Sequence, residues 1–305
     1  MTTESAFINI LRGFAKDPAA RGLMDDVAVV EMGDSCLIIT HDMMAEDVHF
    51  RSNANPADVA WKLVASNLSD LAAKGASPIG VLLGFMLGDD DWDRAFAAGL
   101  EKVLGHYGVA LLGGDTVSNR GDKRALGLTA LGIVTNRPVP SRAGAQVGDI
   151  LYVTGTLGDA LAGFELIDAG FDEVGALADA FNRPQARLAE GQKLAPFVHA
   201  MMDISDGLLI DAERMATASR LGIEIDLARI PLSPAYVSYR TDSLESRMQA
   251  ASWGDDYELL FCAPADARIA IDATAVGRVI AGGGLTLCNG DEPVKLPPTL
   301  GYQHH

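Results

Sequence analysis

Aspartate residues recur at the ends of apolar segments in this sequence, and glycine often accompanies them. In residues 201–211, MMDISDGLLID, three aspartates interrupt an otherwise apolar run. A lone carboxylate in a protein interior costs several kcal/mol unless another group neutralises its charge. The chain has 24 Lys and Arg residues against 41 Asp and Glu, and few of the cations lie near these clusters in sequence. We therefore expect divalent cations to neutralise the clustered carboxylates.

The acidic clusters share one chemistry, which is a ligand set made of oxygen atoms. Such sets favour Mg²⁺ or Mn²⁺ over zinc, and Mg²⁺ held by carboxylates usually keeps open positions that phosphate oxygens fill. The clusters are LMDDVAVV with Asp25 and Asp26, ITHDMM with Asp42, NLSDLAAKG with Asp70, LLGGDTVS with Asp115, MMDISDG with Asp203 and Asp206, and WGDDYELLF with Asp255 and Asp256. The pattern predicts a site in which metal ions hold a phosphorylated ligand.

Some of these residues also have a purely structural interpretation. Asp206 stands immediately before a predicted helix and could cap it by accepting hydrogen bonds from its free N–H groups. Asp70 lies within a predicted helix on which Ser66 and Lys74 occupy a neighbouring face, so a solvated polar face explains it equally well. Arg142 could reach a phosphate or lie on the surface. The residues alone leave both interpretations open at these positions.

The segments that position the clusters alternate between strand and helix patterns. Residues 27–40 predict two strands around a Gly-Asp turn, and Pro56 begins a helix that Gly75 can end. The segment PIGVLLGFML predicts a buried strand, and the next helix begins after three aspartates and ends near His106. VALLGGD and ALGLTALGIV are further strands. The segments beginning at DILYVTG and MMDISDG each predict a strand, a glycine turn and a helix, and SWGDDYELLFCA predicts a strand entered through an acidic turn.

Strands that follow one another directly favour an α+β fold with mixed or antiparallel sheets over a doubly wound parallel sheet. The chain of 305 residues is long enough for two domains of ordinary size. The segment NRPVPSRAGAQVGD, residues 136–149, is rich in proline, glycine and polar residues. We therefore predict an N-terminal domain over residues 1–138 and a C-terminal α/β domain over residues 139–305.

The net charge of −17 makes nucleic acids and anionic membrane surfaces poor partners, because like charges repel. An acidic chain can still bind an anionic nucleotide when metal ions lie between them. Cys36, Cys262 and Cys288 form neither a disulfide framework nor a zinc pattern. The sequence contains no signal-peptide pattern and no apolar stretch of membrane-spanning length. We expect a cytoplasmic protein.

Several phosphate-transfer and hydrolase motifs are absent from the sequence. It contains no G-x-x-x-x-G-K-[ST] loop, no protein-kinase motif set and no G-x-S-x-G elbow. A protein of this sequence that transfers phosphate would therefore use carboxylates and metal ions instead of a P-loop.

Taken in order, the motifs resemble the thiamine-monophosphate kinase family, which belongs to the superfamily of aminoimidazole ribonucleotide synthetase. The resemblance extends over nearly the whole chain. The motifs that carry it are MDDVAVV, HDMMAEDVHF, WKLVASNLSDLAAKGASP, LLGGDTV, PSRAGAQVGD, YVTGTLGDALAG, DISDGLLID, GDDYELLF and a terminal GYQH.

The resemblance implies a reaction and an architecture. The reaction is ATP-dependent phosphorylation of thiamine monophosphate to thiamine diphosphate, the last step in making that cofactor. ATP is the co-substrate, several Mg²⁺ ions assist, and K⁺ is a further candidate cation. The architecture is a two-domain aminoimidazole-ribonucleotide-synthetase-like fold, in which the N-terminal domain binds metal and ATP. Two copies form a homodimer by joining their N-terminal strands into a shared barrel.

The resemblance also implies roles for individual residues. The implied metal ligands are Asp26, Thr40, Asp42, Asp70, Asp115, Asp203 and Asp206. The implied ATP contacts are Gly114, Asp115, Arg142 and Ser205. The implied substrate contacts are His49, Asp255 and Tyr302.

This sequence departs from the family pattern at three positions. Met24 replaces the usual glycine, His41 replaces a threonine whose oxygen would bind metal, and Asp255 replaces a glutamate. Other enzymes of the superfamily fit less well, because the first cysteine is Cys36, within a predicted strand, and the chain ends without a cysteine. A protein that binds nucleotide or metal without catalysis is the alternative from another class, and His41 is the feature that favours it.

The implied chemistry needs no general acid or base. The acceptor is already a phosphate, so direct in-line transfer chiefly requires two anions to be brought together and their charge neutralised. We expect several Mg²⁺ ions and Arg142 to supply that neutralisation, without a phosphoenzyme.

Overall fold

The computed structural model describes residues 4–118, 121, 123–171 and 175–303, so His304 of the terminal GYQH motif lies outside the described residues. The helices are α1 (Glu4–Arg12), α2 (Pro56–Ala72), α3 (Asp90–Tyr107), α4 (Asp159–Asp168), α5 (Gly175–Asn182), α6 (Leu188–Leu194), α7 (Leu208–Ser219), α8 (Pro234–Arg240) and α9 (Leu244–Ser252). The strands are β1 (Ala28–Met32), β2 (Ser35–Ala45), β3 (Ser77–Leu87), β4 (Ala110–Ser118), β5 (Ala125–Val134), β6 (Ile150–Thr154), β7 (Ala200–Asp203), β8 (Gly222–Asp226), β9 (Leu259–Ala263), β10 (Ala273–Ile280), β11 (Gly284–Asn289) and β12 (Glu292–Val294).

Strands β1 to β5 form the N-terminal sheet. Among the described residues it has five strands in the order β1-β2-β5-β3-β4. The β3–β4 pair is parallel, and the other neighbouring strands are antiparallel. Apolar side chains of α2 and α3 pack with one face of this sheet in a core that includes Leu63, Leu68, Phe96 and Leu128. The sheet is therefore mixed, as the sequence predicts.

Helix α2 lies between the two halves of the chain. Asn55 caps it by accepting a hydrogen bond of 3.0 Å from the Ala57 N–H, and Pro56 occupies its first turn. On one side α2 packs on β2 and β5, and on the other it packs on α6 and β7. Almost every residue after its first turn is buried, so its polar residues lie in the interior of the molecule.

The C-terminal half contains a second mixed sheet. Its described strands number seven, in the order β12-β11-β8-β10-β6-β9-β7, and only the β11–β8 pair among them is parallel. A core that includes Leu151, Leu209, Met215, Ile225 and Leu260 packs α7 on this sheet. β7 is an edge strand, and Asp203 is its last residue. None of the described helices is long and apolar enough to cross a membrane.

One sequence prediction about the strands is wrong. The segment PIGVLLGFML forms β3, but Ile79, Leu82 and Leu87 of that strand are exposed. The reason is that α2 and α3 cover one face of the sheet and leave the other uncovered. The next strand, β4, is exposed along its whole length because it is also at the sheet edge.

Candidate metal and phosphate site

Three aspartates from distant parts of the sequence form a carboxylate cluster where the two sheets meet. Carboxylate oxygens of Asp26, Asp70 and Asp203 all lie within 4.8 Å of one another. Asp26 precedes β1, Asp70 lies in the last turn of α2, and Asp203 ends β7. Asp70 and Asp203 are only 6% and 3% exposed. The fold thus brings together three of the predicted metal ligands.

Two further predicted ligands on β2 adjoin this cluster. The buried Thr40 donates a hydrogen bond from its hydroxyl to the Asp70 carboxylate. The N–H of Asp42 donates a hydrogen bond of 2.9 Å to the side-chain oxygen of Asn67 on α2. Asn67 is fully buried, and it fixes β2 relative to the helix that carries Asp70. The side chain of His41 points to the other sheet face, where it bonds to Thr129 at 2.9 Å.

The electrostatics of the cluster favour a bound cation. Burial and the neighbouring Asp26 and Asp206 raise the pKa of Asp42 to about 6. Burial and Asp26 raise the pKa of Asp203 to about 7, and burial with Asp42 raises the pKa of Asp70 well above its usual value. Each shift means that the negative form lacks sufficient neutralising charge.

The donor set fits a hard divalent cation. Oδ2 of Asp26 is buried and has no hydrogen-bond partner among the described residues. A buried polar oxygen without a partner costs free energy, which a cation in contact with it would recover. The neighbouring donors are carboxylate and hydroxyl oxygens, which are ligands suited to Mg²⁺ or Mn²⁺.

Asp206 joins this site through the loop between β7 and α7. Arg214 donates to Asp206 at 2.5 Å and to the buried Asp211 at 2.7 Å. The other Asp211 oxygen accepts hydrogen bonds of 3.2 Å from the N–H groups of Ser205 and Asp206. Helix α7 is capped at Gly207 without a side-chain hydrogen bond, so the interpretation of Asp206 as a helix cap is wrong.

Arginine and lysine side chains that are distant from the acidic clusters in sequence contact them in the folded protein. Arg142 forms an ion pair with Asp26, although 116 residues separate them, so Arg142 is not a free surface residue. Few cations lie near the clusters in sequence, but the fold brings distant cations to them. The alternative of a solvated face around Asp70 is wrong, since Ser66 and Lys74 on that face are 5% and 0% exposed.

Asp25 differs from its neighbour Asp26. Lys74 lies 2.6 Å from one Asp25 oxygen and Arg21 lies 2.5 Å from the other. Although burial opposes it, Lys74 and Arg21 lower the pKa of Asp25 to about 2. The carboxylate of Asp25 is therefore neutralised by the chain itself and belongs to a structural ion cluster.

Two of the predicted substrate contacts, Asp255 and Tyr302, adjoin the segment that contains Ser205 and Asp206. Asp255 accepts hydrogen bonds of 2.8 Å from Lys62 and 3.2 Å from the Tyr257 hydroxyl. The N–H of Tyr302 donates to the Asp206 carbonyl at 3.0 Å. Burial and the negative charges of Asp206 and Asp255 raise the pKa of Tyr302. His49 accepts a hydrogen bond of 3.1 Å at Nδ1 from the Ala45 N–H.

Gly114 and Asp115 lie apart from the other predicted site residues. They are on β4, in register with Leu83 and Gly84 of β3. Strands β5 and β3 lie between β4 and β2, the strand that carries Asp42. The fold of one chain therefore does not place Asp115 beside the cluster of Asp26, Asp70 and Asp203.

Comparisons with known proteins identify the family. Residues 24–134 match the AIR synthase related protein N-terminal domain, and residues 146–287 match the corresponding C-terminal domain. Thiamine-monophosphate kinase of Escherichia coli strain K12 is 36% identical, over 93% of this chain and 91% of its own. The Haemophilus influenzae thiamine-monophosphate kinase is 33% identical, over 92% and 93%. The chain belongs to the thiamine-monophosphate kinase family.

Solved structures agree with this membership of the thiamine-monophosphate kinase family. AaThiL complexed with AMPPCP and TMP is 30% identical in sequence and matches with a TM-score of 0.88. The match covers 99% of this chain and 97% of that chain. The resemblance carried by the ordered motifs is thereby confirmed, together with the two-domain fold and its mixed sheets.

Proposed function

We propose that this chain is a kinase that transfers the γ-phosphoryl group of ATP to thiamine monophosphate, giving thiamine diphosphate and ADP. The observation that carries the proposal is the buried cluster of Asp26, Asp70 and Asp203, with Asp42 and Asp206 beside it. A site with this excess of negative charge needs cations, and cations are what two approaching phosphates require. The family relatives carry the name of this activity.

Mg²⁺ is the metal ion that we propose for the site. Asp26, Asp70 and Asp203 would hold it, with Thr40, Asp42 and Asp206 as further ligands. When bound, Mg²⁺ supplies positive charge to phosphate oxygens during transfer. A requirement for K⁺ stays a prediction.

Arg142 and the loop at Ser205 are the protein groups that would bind the transferred phosphate. Arg142 is already oriented by Asp26, and its Nε is buried without a partner among the described residues. An arginine held in this way can bind phosphate at little cost in side-chain entropy. Ser205 is fixed through its N–H by Asp211 and through its carbonyl by the Asp255 N–H.

The acceptor would bind on the side of the site formed by His49, Asp255 and Tyr302. Tyr302 has an exposed ring and a backbone hydrogen bond to Asp206, so it can contact a flat heterocycle while remaining fixed to the metal side. Because the acceptor nucleophile is a phosphate oxygen, no residue needs to remove a proton. Transfer is in line and direct, with no phosphoenzyme.

We further propose that the working unit is a homodimer and that β4 of the partner completes the site. β4 is nine residues long and exposed throughout, and its apolar side chains include Leu111, Leu112 and Val117. A long apolar edge strand is normally covered, because it otherwise promotes aggregation. Pairing through this edge would also bring Gly114 and Asp115 to a carboxylate cluster, which their own chain does not do.

The predicted division at residues 138 and 139 lies between β5 and β6. We propose that the N-terminal domain supplies most metal ligands and the dimer contact, and that the C-terminal domain supplies the loops at Asp206 and Asp255.

We also propose that the enzyme acts in the cytoplasm, where its three free cysteines would stay reduced.

The test of the proposed function is ADP release from MgATP by the purified full chain. Thiamine monophosphate is the acceptor, and free thiamine and no acceptor are the controls. We expect ADP only with thiamine monophosphate, in step with thiamine diphosphate. Tight binding of ATP without ADP release would contradict the proposal and support the non-catalytic alternative.

A further inference from the structure

Lys62 connects the helix of the metal cluster to the loop on the acceptor side. It lies on α2, eight residues before Asp70, and its side chain is 5% exposed. Its ammonium group is 2.8 Å from Asp255 Oδ2 and 3.8 Å from the centre of the Phe181 ring on α5. An ammonium group on an aromatic face is held by the ring quadrupole as well as by its ion pair. Lys62 is thereby fixed from two sides.

The loop that Lys62 contacts has a strained backbone. Asp255 and Tyr257 have positive φ angles of 66° and 50°, which non-glycine residues adopt at a cost of about 1 kcal/mol or more each. The surrounding structure must therefore hold them. Lys62 and the Tyr257 hydroxyl bind one oxygen each of the Asp255 carboxylate, so both of its oxygens are engaged.

The same loop packs directly on the segment that contains Ser205 and Asp206. The N–H groups of Asp255 and Tyr257 each donate at 2.8 Å, to the carbonyls of Ser205 and Ile204. Gly254 approaches so closely that a Cβ on it would lie 2.2 Å from the Ser205 carbonyl oxygen. A change in the orientation of Asp255 is consequently opposed from the metal side by backbone contacts and from the α2 side by Lys62.

We propose that Lys62 is a positioning residue, which sets the orientation of Asp255 towards the acceptor and so determines affinity for the acceptor and not for ATP. This inference rests on the proposed function and on Asp255 as an acceptor contact. The Lys62–Asp255 pair is neutral as a unit. The pair therefore presents a dipole to the acceptor, which carries a cationic ring and an anionic phosphate. A net charge would instead favour one end of the acceptor.

The test is a comparison of kinetic constants in K62Q and K62R with those of the wild type. In K62Q the Asp255 carboxylate, which is 29% exposed, loses its cation and can turn to solvent. We expect the KM for thiamine monophosphate to rise about tenfold, with the KM for ATP changed less than twofold. K62R keeps the charge and should recover much of the affinity.

R183Q is the matched control, because Arg183 pairs with Asp58 in the first turn of the same helix, twelve residues before Asp70. It removes an ion pair to α2 and should leave both KM values unchanged. Calorimetric titration of thiamine monophosphate into each variant loaded with a non-hydrolysable ATP analogue gives the same comparison without turnover.

An unchanged acceptor KM and affinity in K62Q would overturn the inference, and so would equal losses for acceptor and ATP. A fall in melting temperature with an unchanged ratio of the two KM values would also overturn it, because that is the result of a purely structural role. Absence of turnover in the wild type would instead overturn the proposed function. If K62Q does not fold, K62R is the deciding variant. A loss of affinity for thiamine monophosphate of about tenfold or more in K62R then counts against the inference.

Discussion

Lys74 donates a hydrogen bond of 2.6 Å to Asp25, and the side chains of both residues are inaccessible to solvent. Lys74 Nζ also lies 3.4 Å from the Met201 carbonyl, so the contact joins the end of α2 to β7. Asp25 and the metal-site residue Asp26 are adjacent in sequence and serve different purposes. Lys74 and Arg21 neutralise Asp25, whereas Asp26 pairs with Arg142 through one oxygen and lies among the carboxylates of the metal cluster.

Replacing Asp25 with asparagine should destabilise the protein strongly. The change leaves Lys74 buried without an anion, and removal of one partner of a buried ion pair costs about 3–5 kcal/mol. We expect the melting temperature to fall by roughly 10 °C. In metal-free buffer D26N is the comparison variant, and it should lose less stability, because the change removes the ion pair with Arg142 but also relieves repulsion with Asp70 and Asp203. Equal losses in the two variants would contradict the distinction between Asp25 and Asp26.

The stability of the metal-free protein should fall as pH rises from 5 to 8. The folded-state pKa values of Asp42 and Asp203 are raised from 3.8 to about 6 and about 7. A raised folded-state pKa gives stability that is complete below the unfolded value and is lost as pH rises through the folded value. Asp25, whose pKa is lowered, contributes in the opposite direction, but only below pH 4.

Melting temperatures measured in EDTA between pH 5 and pH 8 check this dependence. We expect a decrease of several degrees, and saturating Mg²⁺ should remove most of it, because metal binds the deprotonated carboxylates. A flat profile in EDTA would show that the pKa values of these carboxylates are not raised in the folded protein. A Mg²⁺ effect that is larger at pH 5 than at pH 8 would show that they are not the metal ligands.

The sequence predicted the carboxylates of the site better than their partners. Asp26, Asp70 and Asp203 stand out because each is a charged residue within or beside an apolar segment, and that pattern is visible in the local sequence. Lys62 does not stand out, because 193 residues separate it from Asp255 and only the packing of two domains brings them together. Arg214 was missed although a local signal existed, since it lies three residues after Asp211 on a helix.

The fold was predictable to a similar degree. Strand and helix patterns gave the elements and the mixed character of the sheets, because each pattern reflects local periodicity. The order of strands in a sheet depends on contacts between distant segments. For that reason the separation of Asp115 from Asp42 could not be read from motifs that the family resemblance places in one site.

His41 should be dispensable for metal binding. It lies on the opposite face of β2 from Thr40 and is exposed, whereas the Thr40 hydroxyl contacts Asp70. We expect H41A to keep the Mg²⁺-induced rise in melting temperature within about 1 °C of the wild type, and T40V to lose at least half of it. The reverse order would restore His41 as a candidate ligand at the position where the family usually has threonine.

Complementation between inactive variants should reveal whether the site is shared between two chains. Asp70 lies beside Asp26, which precedes the edge strand β1, whereas Asp115 is on β4 at the opposite edge of the same sheet. If Asp115 acts in the site of the partner, D70A and D115A homodimers each lack activity at both sites. A mixed dimer contains one site with both aspartates and one site with neither.

Random exchange of subunits should therefore restore about a quarter of wild-type turnover, since half of the dimers are mixed and each has one intact site of two. The measurement is ADP release after the two inactive variants are denatured together and refolded. Refolding of D70A with D203A is the control, because both residues belong to the same cluster of one chain and no mixed dimer regains an intact site. Activity that stays at the level of this control would place Asp115 in the site of its own chain or outside the site, and would remove the structural argument for a shared one.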